Sequence, residues 1–234
     1  WVAALLAVAV AVALAALQSR GPWLAPFGIA LGLWLVAGSL TDLIERTGLA
    51  RSSLATALSR LRGLPRSSLG MSAAHLGLGV MIIGIVAVTS WRQEIITVMK
   101  QADQLSIAGY SVTFAGEAPR TGPNYTAETG RFLVSANGRE VGALASEKRR
   151  FEPGNQVTTE AGILSFLSGD FYIVMGDPAP QGGRVVRLYF NPLVSFIWLG
   201  AAIVFAGGAL SLSDRRYRLG IPRRQRLLAA SAGE

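Results

Sequence analysis

No cysteine occurs among the 234 residues, and histidine occurs once, at His75. The missing thiols exclude a disulfide framework, a thiolate nucleophile and any cysteine-ligated zinc or iron–sulfur site, so redox or metal chemistry must draw on other ligands or on a partner. The one imidazole sits in an apolar run, which excludes a Ser–His–Asp arrangement. Charge is also scarce. Only 15% of residues are charged and 51% are hydrophobic, against roughly 25% charged in an ordinary soluble chain. A soluble single domain is therefore the weaker reading.

The apolar residues fall in blocks. Trp1–Leu17 carries no charge; at about 1.5 Å per residue it reaches roughly 25 Å, slightly short of a bilayer core of about 30 Å. It reads as a span cut at its start, in the remainder of a longer protein. It lacks the basic flank and cleavage site of a signal peptide. Trp23–Leu40, Leu69–Ser90 and Leu193–Leu212 are of spanning length, with no ionisable side chain other than His75. Four membrane helices are expected.

Between the third and fourth blocks lies a polar stretch, Trp91–Leu188, with strand-like runs. Arg131–Ala136 and Arg139–Ser146 flank Asn137-Gly138, a dipeptide suited to the two positive-φ positions of a type I′ hairpin turn. Leu105–Phe114, broken at Ala108-Gly109, Phe171–Met175 and Val185–Phe190 are further runs of β-branched and aromatic residues. The fold class expected is a membrane α-helical protein with four spans and an inserted all-β extracytoplasmic domain, a small barrel or sandwich. No repeat or low-complexity segment interrupts it.

Charge sets the orientation. Glu45–Ser67 holds Arg46, Arg51, Arg60, Arg62 and Arg66 against one acid, and the tail holds Arg215, Arg216, Arg218, Arg223, Arg224 and Arg226. Both should face the cytoplasm, leaving the short link with Arg20 and the polar stretch outside. Trp91–Leu188 has ten basic and ten acidic residues, so the net +8 lies beside the membrane. That favours attraction to anionic lipid and removes the motive for nucleic-acid binding. The segments are then residues 1–44, two spans; 45–67, a cytoplasmic Arg-rich link; 68–90, the span with His75; 91–188, a periplasmic β domain; 189–212, a span; and 213–234, a cytoplasmic basic tail. Trp23, Trp91, Tyr189 and Phe190 suit interfacial anchors.

His75 lies two turns inside the third span. Ionisable residues within spans face the bundle interior and mark relays or cofactors. A haem axial ligand is one reading, since neutral imidazole suits iron. A hydrogen bond to a neighbouring helix is the other. Met71, on the same helix, cannot reach the opposite face of a ring. Gly79, one turn on, leaves room for a flat macrocycle or a close helix, and Ala73 and Gly77 form a small-residue pair on another face. In the β stretch, Gly122-Pro-Asn-Tyr125 reads as a turn. Glu147-Lys-Arg-Arg150 reads as a solvated strand end, with an acidic partner as the lesser alternative. Asp170 and Arg187 are candidates for a cross-strand pair.

Met71-Ser-Ala-Ala-His75-Leu-Gly77, Gly122-Pro-Asn-Tyr125, Ser146-Glu-Lys-Arg149, Thr158-Thr-Glu-Ala161, Asp170-Phe-Tyr-Ile-Val-Met-Gly176, Arg187-Leu-Tyr-Phe-Asn-Pro192 and Asp214-Arg-Arg-Tyr-Arg218 follow one another as at the C-terminal end of the CcmF family of cytochrome c-type biogenesis proteins. The sequence resembles that family from about Ser68 to Arg218. The resemblance implies an inner-membrane haem lyase component that works with CcmH-like subunits, receives haem from a periplasmic haem chaperone and joins it to the Cys-X-X-Cys-His motif of an apocytochrome c, so the thiols are the substrate's. It further implies that His75 is one axial ligand of haem b. The family's tryptophan-rich segment, its flanking histidines and the other membrane histidine would lie upstream, so this chain alone is not expected to be active. A non-catalytic membrane adaptor, docking assembly partners through its β domain, is the competing reading. A transporter is disfavoured, because no span carries an acid or a midplane proline.

Overall fold

The computed structural model describes residues 2–18 and 21–214, so Arg20 and the basic tail lie outside the described residues. Helices run over Val2–Leu17 (α1), Ala25–Thr47 (α2), Leu54–Gly63 (α3), Arg66–Trp91 (α4) and Val194–Leu212 (α5). Among the described residues α2, α4 and α5 are long and apolar enough to cross a membrane; α1, also apolar, has 16 residues. The α2 helix overruns its expected end at Leu40 and takes in Asp42, Glu45 and Arg46 before stopping at Gly48, whose φ of 66° is left-handed. The Arg-rich link contains an unforeseen helix, α3, started by the Ser53 hydroxyl, which accepts from the Thr56 amide at 3.3 Å.

The long helices pack in the order α1, α2, α4, α5. Glycines let α4 approach both neighbours closely. A Cβ on Gly77 would stand 2.7 Å from the Gly200 carbonyl oxygen of α5, and one on Gly79 would stand 2.6 Å from the Gly32 carbonyl oxygen of α2. Gly70 and Gly84 repeat the α5 contact seven residues to either side of Gly77, so the seam stays on one helix face. At one end of this row Gly21 touches the Trp91 indole. At the other, Asp214 meets the start of α4.

Nine strands follow α4: β1 (Gln93–Met99), β2 (Gln104–Ile107), β3 (Tyr110–Thr121), β4 (Tyr125–Ala136), β5 (Arg139–Phe151), β6 (Gln156–Glu160), β7 (Gly162–Phe166), β8 (Gly169–Pro178) and β9 (Arg184–Pro192). They form two antiparallel sheets, β1-β9-β8-β7 and β2-β3-β4-β5-β6. A sandwich is therefore the choice made between sandwich and barrel. The Asn137-Gly138 hairpin forms as expected, with φ of 50° and 74°, and Ala108-Gly109 makes a second one with 50° and 80°. Val112, Phe132, Val134, Phe171, Ile173, Met175 and Leu188 fill the space between the sheets.

Strand β1 starts just after α4, β9 ends just before α5, and the two pair along their length. The sandwich thus hangs from α4 and α5. Leu193 and Ser195, at the start of α5, bond the Ser168 and Phe166 carbonyls in the β7–β8 turn at 3.1 and 3.2 Å. Two expectations change. Phe190 is buried in the sandwich core rather than anchoring an interface, because β9 continues to Pro192 before the helix begins. Asp170 and Arg187 do not pair, because the register sets them opposite Asn191 and Val174. Arg187 instead approaches Glu94 at 3.6 Å.

Candidate functional site

The α4 helix is packed on two sides and bare on a third. Gly77 and Gly79 face α5 and α2, whereas Met71, His75, Leu78 and Ile85 are exposed. Their spacings of four, three and seven residues place these four on one stripe. His75 lies nine residues into the helix, about 14 Å from its start.

The ring is held by its own helix. His75 Nδ1 lies 2.8 Å from the Met71 carbonyl oxygen. A carbonyl only accepts, so Nδ1 carries the proton. In the neutral ring Nε2 is then the nitrogen with a free lone pair, the state required of an imidazole that ligates a metal while its other nitrogen is fixed by a backbone carbonyl. The donor fits one axial position on haem iron. Among the described residues no group of three or more metal-ligating side chains occurs.

Gly79 is placed differently from the reading that gave it space for haem. The α2 helix fills that space: the Gly32 carbonyl oxygen and the Val36 and Leu35 side chains crowd the position a Cβ would take. Of the two occupants left open, the close helix is the one present. Of the Ala73 and Gly77 pair, Gly77 meets Gly200 and Val204 of α5.

One polar contact depends on α2 running past Leu40. Ser72 Oγ donates to Asp42 Oδ2 at 2.8 Å, while Arg46 Nε bonds Asp42 Oδ1 at 2.7 Å. The tie joins α2 to α4 one turn before His75. Its only sequence signal is the four-residue spacing of Asp42 and Arg46 on one helix face.

The Glu147-Lys-Arg-Arg150 run is a solvated strand end only at Arg150. Glu147 is 7% exposed, and its carboxylate accepts from Arg120 Nη1 and Arg149 Nε, both at 2.8 Å, and from Thr129 Oγ1 at 3.2 Å. Burial pushes its pKa up, but hydrogen bonds from Arg149, Arg120 and Thr129 outweigh that and hold it below the ordinary glutamate value. Lys148 points to the other face and pairs with Asp177 of β8. Gly122 and Tyr125 close the β3–β4 turn as expected, with the Gly122 amide on the Tyr125 carbonyl at 2.8 Å.

Residues 90–192 match the family model described as the CcmF C-terminal β-sandwich. Over 206 residues the chain is 46% identical to the cytochrome c-type biogenesis protein CycK of Rhizobium meliloti, covering 88% of this chain and 30% of that protein. It is 36% identical to the cytochrome c-type biogenesis protein CcmF of Pseudomonas aeruginosa, covering 87% of this chain and 30% of the relative. The chain thus spans about a third of the length of the curated relatives it matches. A solved structure titled cytochrome c heme lyase CcmF superposes with a TM-score of 0.64 at 19% identity, over 90% of this chain and 34% of that one; the likeness is one of fold.

Proposed function

Because the chain belongs to the CcmF family of cytochrome c-type biogenesis proteins, we propose that it is the haem-binding membrane part of a cytochrome c maturation haem lyase, in which His75 supplies one axial ligand to haem b. The observation that carries this reading is the His75 ring itself, fixed through Nδ1 by the Met71 carbonyl with Nε2 free on the uncovered side of α4.

Haem b, when bound, would supply a one-electron couple for keeping the incoming haem iron reduced. The chain's own residues do the rest. The Met71 carbonyl sets the ring orientation and the tautomer. The Asp42–Ser72 tie and the Gly79–Gly32 contact fix the height and rotation of α4 against α2, so the imidazole is presented in one place. Gly79 acts through this packing.

The surrounding assignment follows the same reading. The chain sits in the bacterial inner membrane with α1, α2, α4 and α5 as spans, both termini cytoplasmic and residues 91–188 periplasmic. CcmH-like subunits, a periplasmic haem chaperone and an apocytochrome c are its partners. The sandwich is the docking module. Arginines at 46, 51, 60, 62 and 66 support the orientation, since they lie at the opposite end of α2 and α4 from the sandwich.

The test is optical. Co-expressed with the upstream part of its gene, the protein should purify with a b-type haem spectrum, and His75→Ala should remove or weaken it. An unchanged spectrum overturns the ligand assignment and leaves the adaptor reading, on which His75→Ala spares maturation while loss of the sandwich abolishes partner co-purification.

A further inference from the structure

The two sheets of the sandwich have unequal lengths. Strands β3, β4 and β5 run for 12, 12 and 13 residues, whereas β8 and β9 run for 10 and 9. Their inner faces are covered by the opposite sheet near the helices, where Phe132, Val134 and Phe171 pack. Beyond the β8–β9 turn the longer strands overhang. A cleft of about 450 Å³ opens there, lined by Pro119, Lys148, Arg150, Val157, Asp177 and Arg184 among others.

The chemistry of this cleft is lopsided. Lys148, Arg149, Arg150 and Arg184 bring four positive charges to its walls and Glu128 and Asp177 two negative ones, but Arg149 is already bonded to Glu147, so the surplus rests on Arg150. Arg184 is 7% exposed; its Nε and Nη2 bond Glu117 and Glu128, and its Nη1 has no partner. Arg150 is exposed and forms no ion pair among the described residues. Lys148 is capped by Asp177, a carboxylate 78% exposed on the rim. An exposed arginine without an ion pair and a lysine held by an exposed rim carboxylate leave two cationic groups for a further acid to engage.

Lipid is the wrong source for them. Arg184 pairs with Met99 at the far end of β1, and seven strand residues at about 3.3 Å place it about 23 Å from the end of α4. The floor of proline, alanine and valine suits the backbone and aliphatic carbons of a peptide better than a bare inorganic ion. We propose that this distal cleft is a recognition site for an acidic segment of a protein partner, whose carboxylates engage Arg150 and Lys148 and displace Asp177. The proposal is independent of His75 and of haem.

The test uses the whole chain in neutral detergent and fluorescence anisotropy of a dye-labelled hexapeptide alternating Glu and Ala. The expected result is saturable binding that weakens as salt rises and is lost when Gln replaces Glu in the peptide. Arg150→Glu should weaken it by about tenfold or more. Asp177→Asn, which removes the internal competitor, should strengthen it several-fold, an effect that misfolding does not mimic. Equal binding of the Gln peptide, or an Asp177→Asn affinity that is unchanged or lower, overturns the proposal. Displacement by inorganic phosphate at the same anion concentration overturns it in favour of a small-anion site.

Discussion

The Asp214 carboxylate accepts a hydrogen bond of 3.0 Å from the backbone amide of Ser67, 147 residues earlier in the chain. Ser67 lies in the first turn of α4, whose preceding residue, Pro65, offers no side-chain cap. The end of α5 thus caps the start of α4 across the bundle, satisfying a donor that the helix cannot satisfy itself. Asp214→Ala should lower stability by about 1 kcal/mol, the usual value of a cap. Asp214→Asn, which keeps an acceptor oxygen, should recover most of that. Thermal unfolding in detergent reads both, and equal losses in the two variants would show that charge rather than capping matters.

The seam between α4 and α5 gives a second expectation. Gly77→Val places carbon where the Gly200 carbonyl oxygen and the Val204 amide already stand, both 2.7 Å from the added Cβ, so the helices must separate. Gly208 on α5 has nothing within 4 Å of the same position. Gly208→Ala should therefore be neutral or stabilising by up to about 1 kcal/mol, since alanine is the better helix former. The pair of variants, compared by apparent Tm and by monodispersity after heating, should diverge. Similar behaviour would mean that the glycines are not there for close approach.

Glu147 predicts an acid limb. Its pKa in the folded protein lies below the ordinary value of 4.5 because Arg149, Arg120 and Thr129 bond its carboxylate more strongly than burial disfavours the charge. A carboxyl with a depressed folded-state value contributes stability above its unfolded pKa, and loses it as pH falls through the folded one. The sandwich should therefore weaken below about pH 4.5, and Glu147→Gln should flatten that dependence while lowering stability at neutral pH. Denaturation curves taken between pH 3 and 7 give the comparison; an acid limb of unchanged steepness in the Gln variant would place its origin elsewhere.

Most of the secondary structure was legible because it depends on local chemistry. Unbroken apolar length marks α2, α4 and α5, and Asn137-Gly138 marks a hairpin because it supplies two consecutive residues at positive φ; the break at Ala108-Gly109 is a second hairpin only in the structure. Local reading failed where the pattern was short or mixed. β1, Gln93–Met99, begins with two polar residues; β6, Gln156–Glu160, is mostly Gln, Thr and Glu. α3 was hidden by its arginines. The polar end of α2 was missed because an apolar window stops at Leu40, although the hydrogen-bonded helix runs on to Thr47.

The site divides in the same way. The sequence by itself determined that His75 is the one imidazole, that it lies in an apolar helix, and that no thiol competes with it. Only the tertiary structure decided which side of α4 carries that ring, because the answer depends on Gly77 meeting Gly200 and Gly79 meeting Gly32, contacts between backbones far apart in the chain. It also turned Glu147-Lys-Arg-Arg150 from a solvated run into a buried carboxylate on one face and a cationic cleft on the other. Strand alternation gives the two faces locally, but which of them is covered follows from the length of the opposing sheet.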